Sequence, residues 1–372
     1  MITRIRIEKM QKLFRYLAFF LRSSFIKSTG GEKKYPTVIQ LPITKRCNSR
    51  CVMCDIWKTP KRNEVTPEEL GRILKDSIFK EVRDIGVNGG EPSMLPDLLE
   101  YIDPMLALPK IKNINIISNG FMTETLLNNL ERIKNKCSLQ GIKFHVSISL
   151  DGVGEVHDKQ RGVAGAFLKT TKTLDTFADN RARYCDSFDI ACTVTKINVD
   201  FLVQLDRYAK TKHYPIKYRL GIANKRIGSN EILEQFSVLD DTLSRQSAKE
   251  FFHYLFCSSK KPQEKYKYFC IFHFLREYPH GKRLLPCAWK EDGITLDSEG
   301  NIYYCAVASE KLGSLKESEG EQLSFAQHNL DHRRAIVKNN CSTCIHDYHG
   351  IPHVFRAASF LRMLAAERFS KW

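Results

Sequence analysis

Thr44-Lys45-Arg46-Cys47-Asn48-Ser49-Arg50-Cys51-Val52-Met53-Cys54, directly after the apolar run 37–42, decides the fold of this chain of 372 residues. Its three thiols, spaced Cys47-x3-Cys51-x2-Cys54, are soft donors that select iron–sulfur clusters or zinc. A four-iron cluster takes four cysteines when it is fully ligated. A loop with three therefore leaves one iron open to chelate a small molecule. A zinc knuckle completed by a fourth ligand from elsewhere has the same spacing, and spacing alone leaves both readings open.

Outward from the loop, strand-like runs at 37–42, 82–88, 114–117, 144–150, 189–195 and 216–223 alternate with stretches of helical period at 67–79, 95–108, 124–136 and 167–178. Such alternation argues a parallel sheet of βα units, in which functional groups gather at the C-terminal strand ends. The runs end in small and polar residues: Gly89-Gly90-Glu91-Pro92, Ser118-Asn119-Gly120, Ser147 and Ser149 ahead of Asp151-Gly152, and Lys196-Ile197-Asn198. These serve as turns, and glycines there also let backbone approach a ligand closely.

Together, the loop 44–54 and these segments resemble the radical S-adenosylmethionine (SAM) superfamily over about 37–223. The resemblance implies an α/β fold, a partial (β/α)6 barrel open enough at its side to admit a large substrate. It implies a [4Fe-4S] cluster on Cys47, Cys51 and Cys54, with the amino and carboxylate groups of SAM on the open iron. SAM contacts are expected from Met53, Gly89, Gly90, Glu91, Pro92, Ser118, Asn119, Ser147, Ser149, Asp151, Arg161 and Thr193. In His157-Asp158-Lys159-Gln160-Arg161-Gly162, Arg161 would face the SAM carboxylate, which suits a guanidinium fork. Met53 departs from the aromatic residue that many relatives place beside the adenine, but stays apolar.

A second set, Cys287-x17-Cys305-x35-Cys341-x2-Cys344, offers four thiols, enough for one cubane or one structural zinc. The stretch 296–304 reads as a hairpin with Glu299-Gly300-Asn301 at its turn, folding Cys287 toward Cys305. This pattern is similar to the twitch module of radical SAM enzymes, a truncated relative of the SPASM module. The likeness implies a small α+β cysteine-rich module holding an auxiliary [4Fe-4S] cluster. His346, Asp347, His349 and His353 stand where further cysteines would serve another cluster.

The chain is expected to divide into a basic amphipathic extension (1–36), the barrel (37–223), a helical bridge rich in aromatics (224–286), the cysteine module (287–350) and a C-terminal helix (351–372). Twelve cysteines are too sparse for a disulfide scaffold, and together with the missing signal peptide this points to the cytoplasm. Residues 1–28 mix apolar and basic positions at helical spacing, which suits peripheral contact with the inner membrane face or packing on the barrel. A net charge of +16 comes without any RNA-binding motif. The missing motif argues against nucleic acid, and the charge fits an acidic electron donor such as flavodoxin, or a phosphorylated substrate near Lys217, Arg219, Lys225 and Arg226.

The resemblance implies reductive cleavage of SAM to a 5′-deoxyadenosyl radical and hydrogen abstraction from a substrate. A small polar molecule is favoured, such as a sugar, aminosugar or aminocyclitol, nucleotide- or lipid-linked. Only 46 residues precede Cys47, which weighs against a leader-guided peptide maturase, the second reading. Oxidation through the auxiliary cluster and epimerisation are both open outcomes, the latter with Cys192 or Cys270 returning hydrogen. A zinc- or cluster-stabilised binding protein without catalysis is the non-enzymatic alternative.

Overall fold

The computed structural model describes residues 34–59, 63–228, 230–285, 287–346 and 360. The amphipathic segment 1–28, and the C-terminal helix apart from Phe360, fall outside them. Seven strands form a parallel sheet: β1 (Val38–Thr44), β2 (Asp84–Gly89), β3 (Asn113–Ser118), β4 (Lys143–Ser149), β5 (Ser187–Val194), β6 (Ile216–Leu220) and β7 (Gly293–Leu296). Antiparallel β8 (Asn301–Tyr303) and β9 (Gly313–Ser314) complete the order β6-β5-β4-β3-β2-β1-β7-β8-β9. The sheet is not closed, as expected of a partial barrel. The cysteine module is also continuous with it, because β7 pairs with β1 at Gln40↔Thr295.

Parallel strands are usually apolar on both faces, but here the faces differ. On β4, Phe144, Val146 and Ile148 are fully buried in the core, while His145, Ser147 and Ser149 alternate with them. The outward face packs beneath α1 (Pro67–Ile73), α2 (Leu98–Leu106), α3 (Thr123–Leu139), α4 (Glu155–Arg161), α5 (Ala166–Asp179) and α6 (Leu202–Thr211). The inward face is polar because it lines the barrel lumen.

Local chemistry sets where helices begin. Thr66 Oγ1 accepts from Glu69 N at 3.2 Å and Thr66 N donates to Glu69 Oε2 at 2.9 Å, a capping box ahead of Pro67 that stabilises α1 by about 1 kcal/mol. The helical period 67–79 nevertheless breaks after α1. Asp76 leaves the helix to accept from Ile78 N and from Gly320 N of the C-terminal module at 2.7 Å. The stretch 95–108 starts its helix only at Leu98, where Asp97 caps Leu99 N and pairs with both Arg132 Nη atoms.

The bridge contains α7 (Thr242–Ser258) and α8 (Pro262–Arg276). Its aromatics are core: Phe251 meets Tyr218 of β6 edge-on at 4.8 Å, and Phe360 packs on Phe256, Tyr266 and Phe269. A further long helix, α9 (Gln327–Asn339), leads into Cys341. No helix among the described residues is long and apolar enough to cross a membrane.

Candidate active site

The three-cysteine loop is held from both sides by backbone. Arg50 N donates to Arg161 O at 2.9 Å, Val52 N to Gln160 O at 3.1 Å, and Asp55 N to Ile227 O at 3.0 Å. Gly90 N and Glu91 N donate to Thr44 O and Arg46 O at 2.6 and 2.7 Å. Here the glycines serve the chain's own backbone: a Cβ on Gly90 would lie 1.9 Å from Arg46 O, and Gly89 has φ +127°. Glu64 adds a side-chain brace, accepting from Thr44 Oγ1 and Lys45 N.

Glu91 is an internal strut. Its Oε1 accepts from Ser93 N, Ser93 Oγ and Ser118 Oγ, and its Oε2 from Asn119 N at 2.7 Å. Asn119 Nδ2 then donates to Asn48 Oδ1 in the cysteine loop at 2.7 Å. This network joins the ends of β2 and β3 to the loop.

One cleft at the C-terminal strand ends gathers Cys47, Cys51, Cys54, Met53, Gly89, Gly90, Glu91, Ser118, Asn119, Ser149, Arg161 and Thr193. The remaining expected contacts lie elsewhere. Pro92 is buried beside the cleft, and Ser147 sits deeper in the lumen, donating to Asp189 at 2.9 Å. Asp151 is fully buried, its Oδ2 ion-paired with Arg161 Nη2 at 2.6 Å and its Oδ1 accepting from Thr193 N. Cys192 and Cys270, expected as hydrogen donors, are fully buried and line neither this cleft nor the second cavity below.

The electrostatics favour an anion beside the loop. Desolvation opposes the Arg161 charge, but Asp151 and the Cys51 sulfur outweigh it and raise the pKa above its ordinary value. Arg161 Nε is buried without a hydrogen-bond partner, a donor left for a carboxylate. Burial beside Arg161 keeps His157 neutral, so its Nδ1 accepts from Asp151 N at 3.0 Å. Burial also pushes the Cys47 thiol up to about 11 and Cys54 to about 12; a cationic cluster would offset that cost. Among the described residues, no three His, Cys, Asp or Glu side chains converge on a single ion. The donor set and the spare Arg161 donor thus fit a cluster with a bound amino acid moiety.

All four C-terminal cysteines, Cys287, Cys305, Cys341 and Cys344, line a second cavity of ≈ 380 Å³. The hairpin brings two of them there, turning at Gly300 (φ +87°), where Asp297 Oδ1 accepts from Glu299 N and Asn301 N. Arg283, which sequence reasoning missed, ties in the other two. Buried, it donates to Leu285 O, Cys344 O and His346 O at 2.6–2.7 Å. An arginine four residues before a cysteine carries no pattern that would reveal this. Burial pushes Cys341 up to about 11 and raises Cys344 as well. The two cavities share Ile222 and His346 as a common wall, and the loop after β6 contributes Asn224 and Arg226 to the first and Lys225 to the second.

A family model for the radical SAM superfamily matches residues 41–202. Molybdenum cofactor biosynthesis protein 1 of Drosophila melanogaster is 34% identical over 108 residues, 28% of this chain and 19% of that protein. The antilisterial bacteriocin subtilosin biosynthesis protein AlbA of Bacillus subtilis is 30% identical over 158 residues, 41% of this chain and 33% of AlbA. The matches thus span a third or less of these two curated relatives. The solved structure of native anSMEcpe with bound AdoMet and Cp18Cys peptide has a TM-score of 0.58 at 16% identity, covering 90% of this chain and 100% of that one, a likeness of fold alone. The three-cysteine loop lies inside the segment that the radical SAM superfamily model matches, and the four C-terminal cysteines behind that segment line the second cavity.

Proposed function

We propose that this chain is a radical SAM enzyme acting on a small polar substrate held between the two cysteine-lined cavities. The observation that carries the reading is their common wall, Ile222 and His346. With [4Fe-4S] clusters and SAM bound, the site is supplied with one-electron cleavage of the SAM S–C5′ bond, a 5′-deoxyadenosyl radical that takes hydrogen from substrate, and a second cluster able to accept an electron. Cys47, Cys51 and Cys54 would hold the first cluster, and Cys287, Cys305, Cys341 and Cys344 the second. Arg161, fixed by Asp151, would orient the SAM carboxylate. Ser149 and Thr193 would face the ribose and adenine, beside the apolar Met53.

That Cys192 and Cys270 line neither cavity supports net two-electron oxidation over thiol-mediated inversion. The polar lining of the first cleft, with Arg219, Asn224 and Arg226, supports a sugar, aminosugar or aminocyclitol carrying an anionic group. Its basic rim suits an acidic electron donor as well. A peptide-modifying role is the second reading, favoured by the similarity to AlbA and by a fold shared with a peptide-bound structure.

The test is an anaerobic iron and sulfide count on reconstituted protein together with a dithionite-driven assay for 5′-deoxyadenosine. About eight irons with SAM cleavage is the expected result. Zinc with no cleavage would hand the chain to the binding-protein reading, and cleavage that rises only with a precursor peptide would hand it to the peptide reading.

A further inference from the structure

The floor of the first cleft carries polar groups for which the SAM site has no use. Gln40 on β1, Asn88 on β2 and Arg219 on β6 all line it. Gln40 is 4% exposed, yet its Oε1 has no hydrogen-bond partner, and the buried Oδ1 of Asn88 has none either. Gln40 belongs to a row in register across six strands, Thr295, Gln40, Gly86, Asn115, His145 and Ser187. In that row Thr295 Oγ1 and Asn115 Oδ1 are likewise buried and unpartnered. Leaving such a group unsatisfied costs its full desolvation, and native structures keep few of them. Their concentration on β7, β1, β2 and β3 marks a surface shaped for a polar occupant.

Charge on the same face is divided unequally. Lys217 is neutralised by Asp189 at 2.5 Å, which also accepts from Ser147 and contacts His145. The side chain of Arg219, two residues further along β6, makes no hydrogen bond or ion pair among the described residues. A free guanidinium at the wall of a cleft is a fork for a phosphate or carboxylate. Carboxamides both donate and accept, so Gln40 and Asn88 match hydroxyl and amine groups.

We propose that Gln40, Asn88 and Arg219 form the substrate subsite, and that the substrate is a small hydroxylated anion of the sugar phosphate class. The carboxamides hold its hydroxyls at the floor, and Arg219 clamps the anionic group on the β6 side. The inference rests on the radical SAM reading of the same cleft. The recessed position of Gln40 suits a compact polar head better than an extended peptide backbone.

Calorimetry on the reconstituted, SAM-loaded full chain tests this with three probes: glucosamine 6-phosphate, glucosamine and inorganic phosphate. Glucosamine 6-phosphate is expected to bind at least tenfold more tightly than either fragment. Arg219→Met should weaken it at least tenfold while leaving glucosamine unchanged, with Arg219→Lys intermediate. Gln40→Leu should weaken glucosamine 6-phosphate and spare phosphate. Circular dichroism and iron content of each variant separate lost folding from lost binding. Equal affinity in wild type and Arg219→Met overturns the proposal, as does failure of all three probes to bind. Tighter binding of an acidic serine-rich heptapeptide overturns it in favour of a peptide substrate. Substrate-free 5′-deoxyadenosine formation by the wild-type sample keeps the two readings apart. Its absence sinks the radical SAM assignment, and its presence without probe binding sinks only the subsite.

Discussion

The two cysteine sites are built by opposite means. The first is fixed by main chain: peptide groups of Gly90, Glu91, Arg161 and Ile227 bond a loop whose glycines admit the close approach. The second rests on its hairpin and on one residue, Arg283, whose guanidinium collects carbonyls from both ends of the cysteine pattern and whose peptide N–H donates to Ser342 O. Their surroundings differ as well. Polar side chains from strand ends face the first, whereas Leu233, Leu239, Trp289, Ile336 and Val337 help to line the second. Solvent access and dielectric around a cluster tune its potential. The first site is thus set among strand-end polar groups, and the second in a more apolar wall.

The comparison breaks most visibly at the cysteines. The triple change Cys47→Ala, Cys51→Ala and Cys54→Ala is expected to reduce 5′-deoxyadenosine formation to background while the second site keeps about four irons. Anaerobic iron analysis and product chromatography read both quantities. Retained SAM cleavage would remove the first site from the chemistry.

Next in size is Gly90→Ala. With Arg46 O at 1.9 Å from the added carbon, backbone must move, for a loss of roughly 3 kcal/mol. Thermal unfolding of the apo-protein should show the loss, and reconstitution should lose iron from the first site before the second. Arg283→Met inverts the pattern. Three carbonyls lose a charged donor, costing about 2 kcal/mol, and iron should fall by about half while SAM cleavage persists. If both variants deplete both sites equally, the sites are not independently built.

These contrasts mark the limit of what the sequence reveals. Six barrel strands were legible because period-2 apolar runs recur between helical stretches, and the cysteine loop because thiol spacing is a strong chemical signal. The hairpin at Gly300 was legible from its turn residues. The join of that hairpin to β1 was not, since strand pairing across some 250 residues of chain leaves no local trace. The bracing roles of Glu91 and Asp151 left no trace for a related reason. A carboxylate at a strand end looks like a ligand contact, and its bonds to neighbours show only once folding brings them near: Ser118 and Asn119 for one, Arg161 and Thr193 for the other. Gln40 and Asn88 gave no signal either, because a polar residue within a strand is informative only once the lumen side is known.

The smallest effect asks what holds the two regions in place relative to each other. Lys45 of the first loop meets Glu299 of the hairpin turn at 2.5 Å, with side chains 20% and 29% exposed. A partly solvated pair of this kind contributes at most about 1 kcal/mol, whereas β1 and β7 share a ladder from Val38↔Gly293 to Gln40↔Thr295. Glu299→Gln should therefore shift thermal unfolding by only a few degrees and leave iron content and SAM cleavage at both sites intact. Loss of product formation with SAM cleavage preserved would reverse the ranking. The ion pair, rather than the shared sheet, would then set the spacing between the centres.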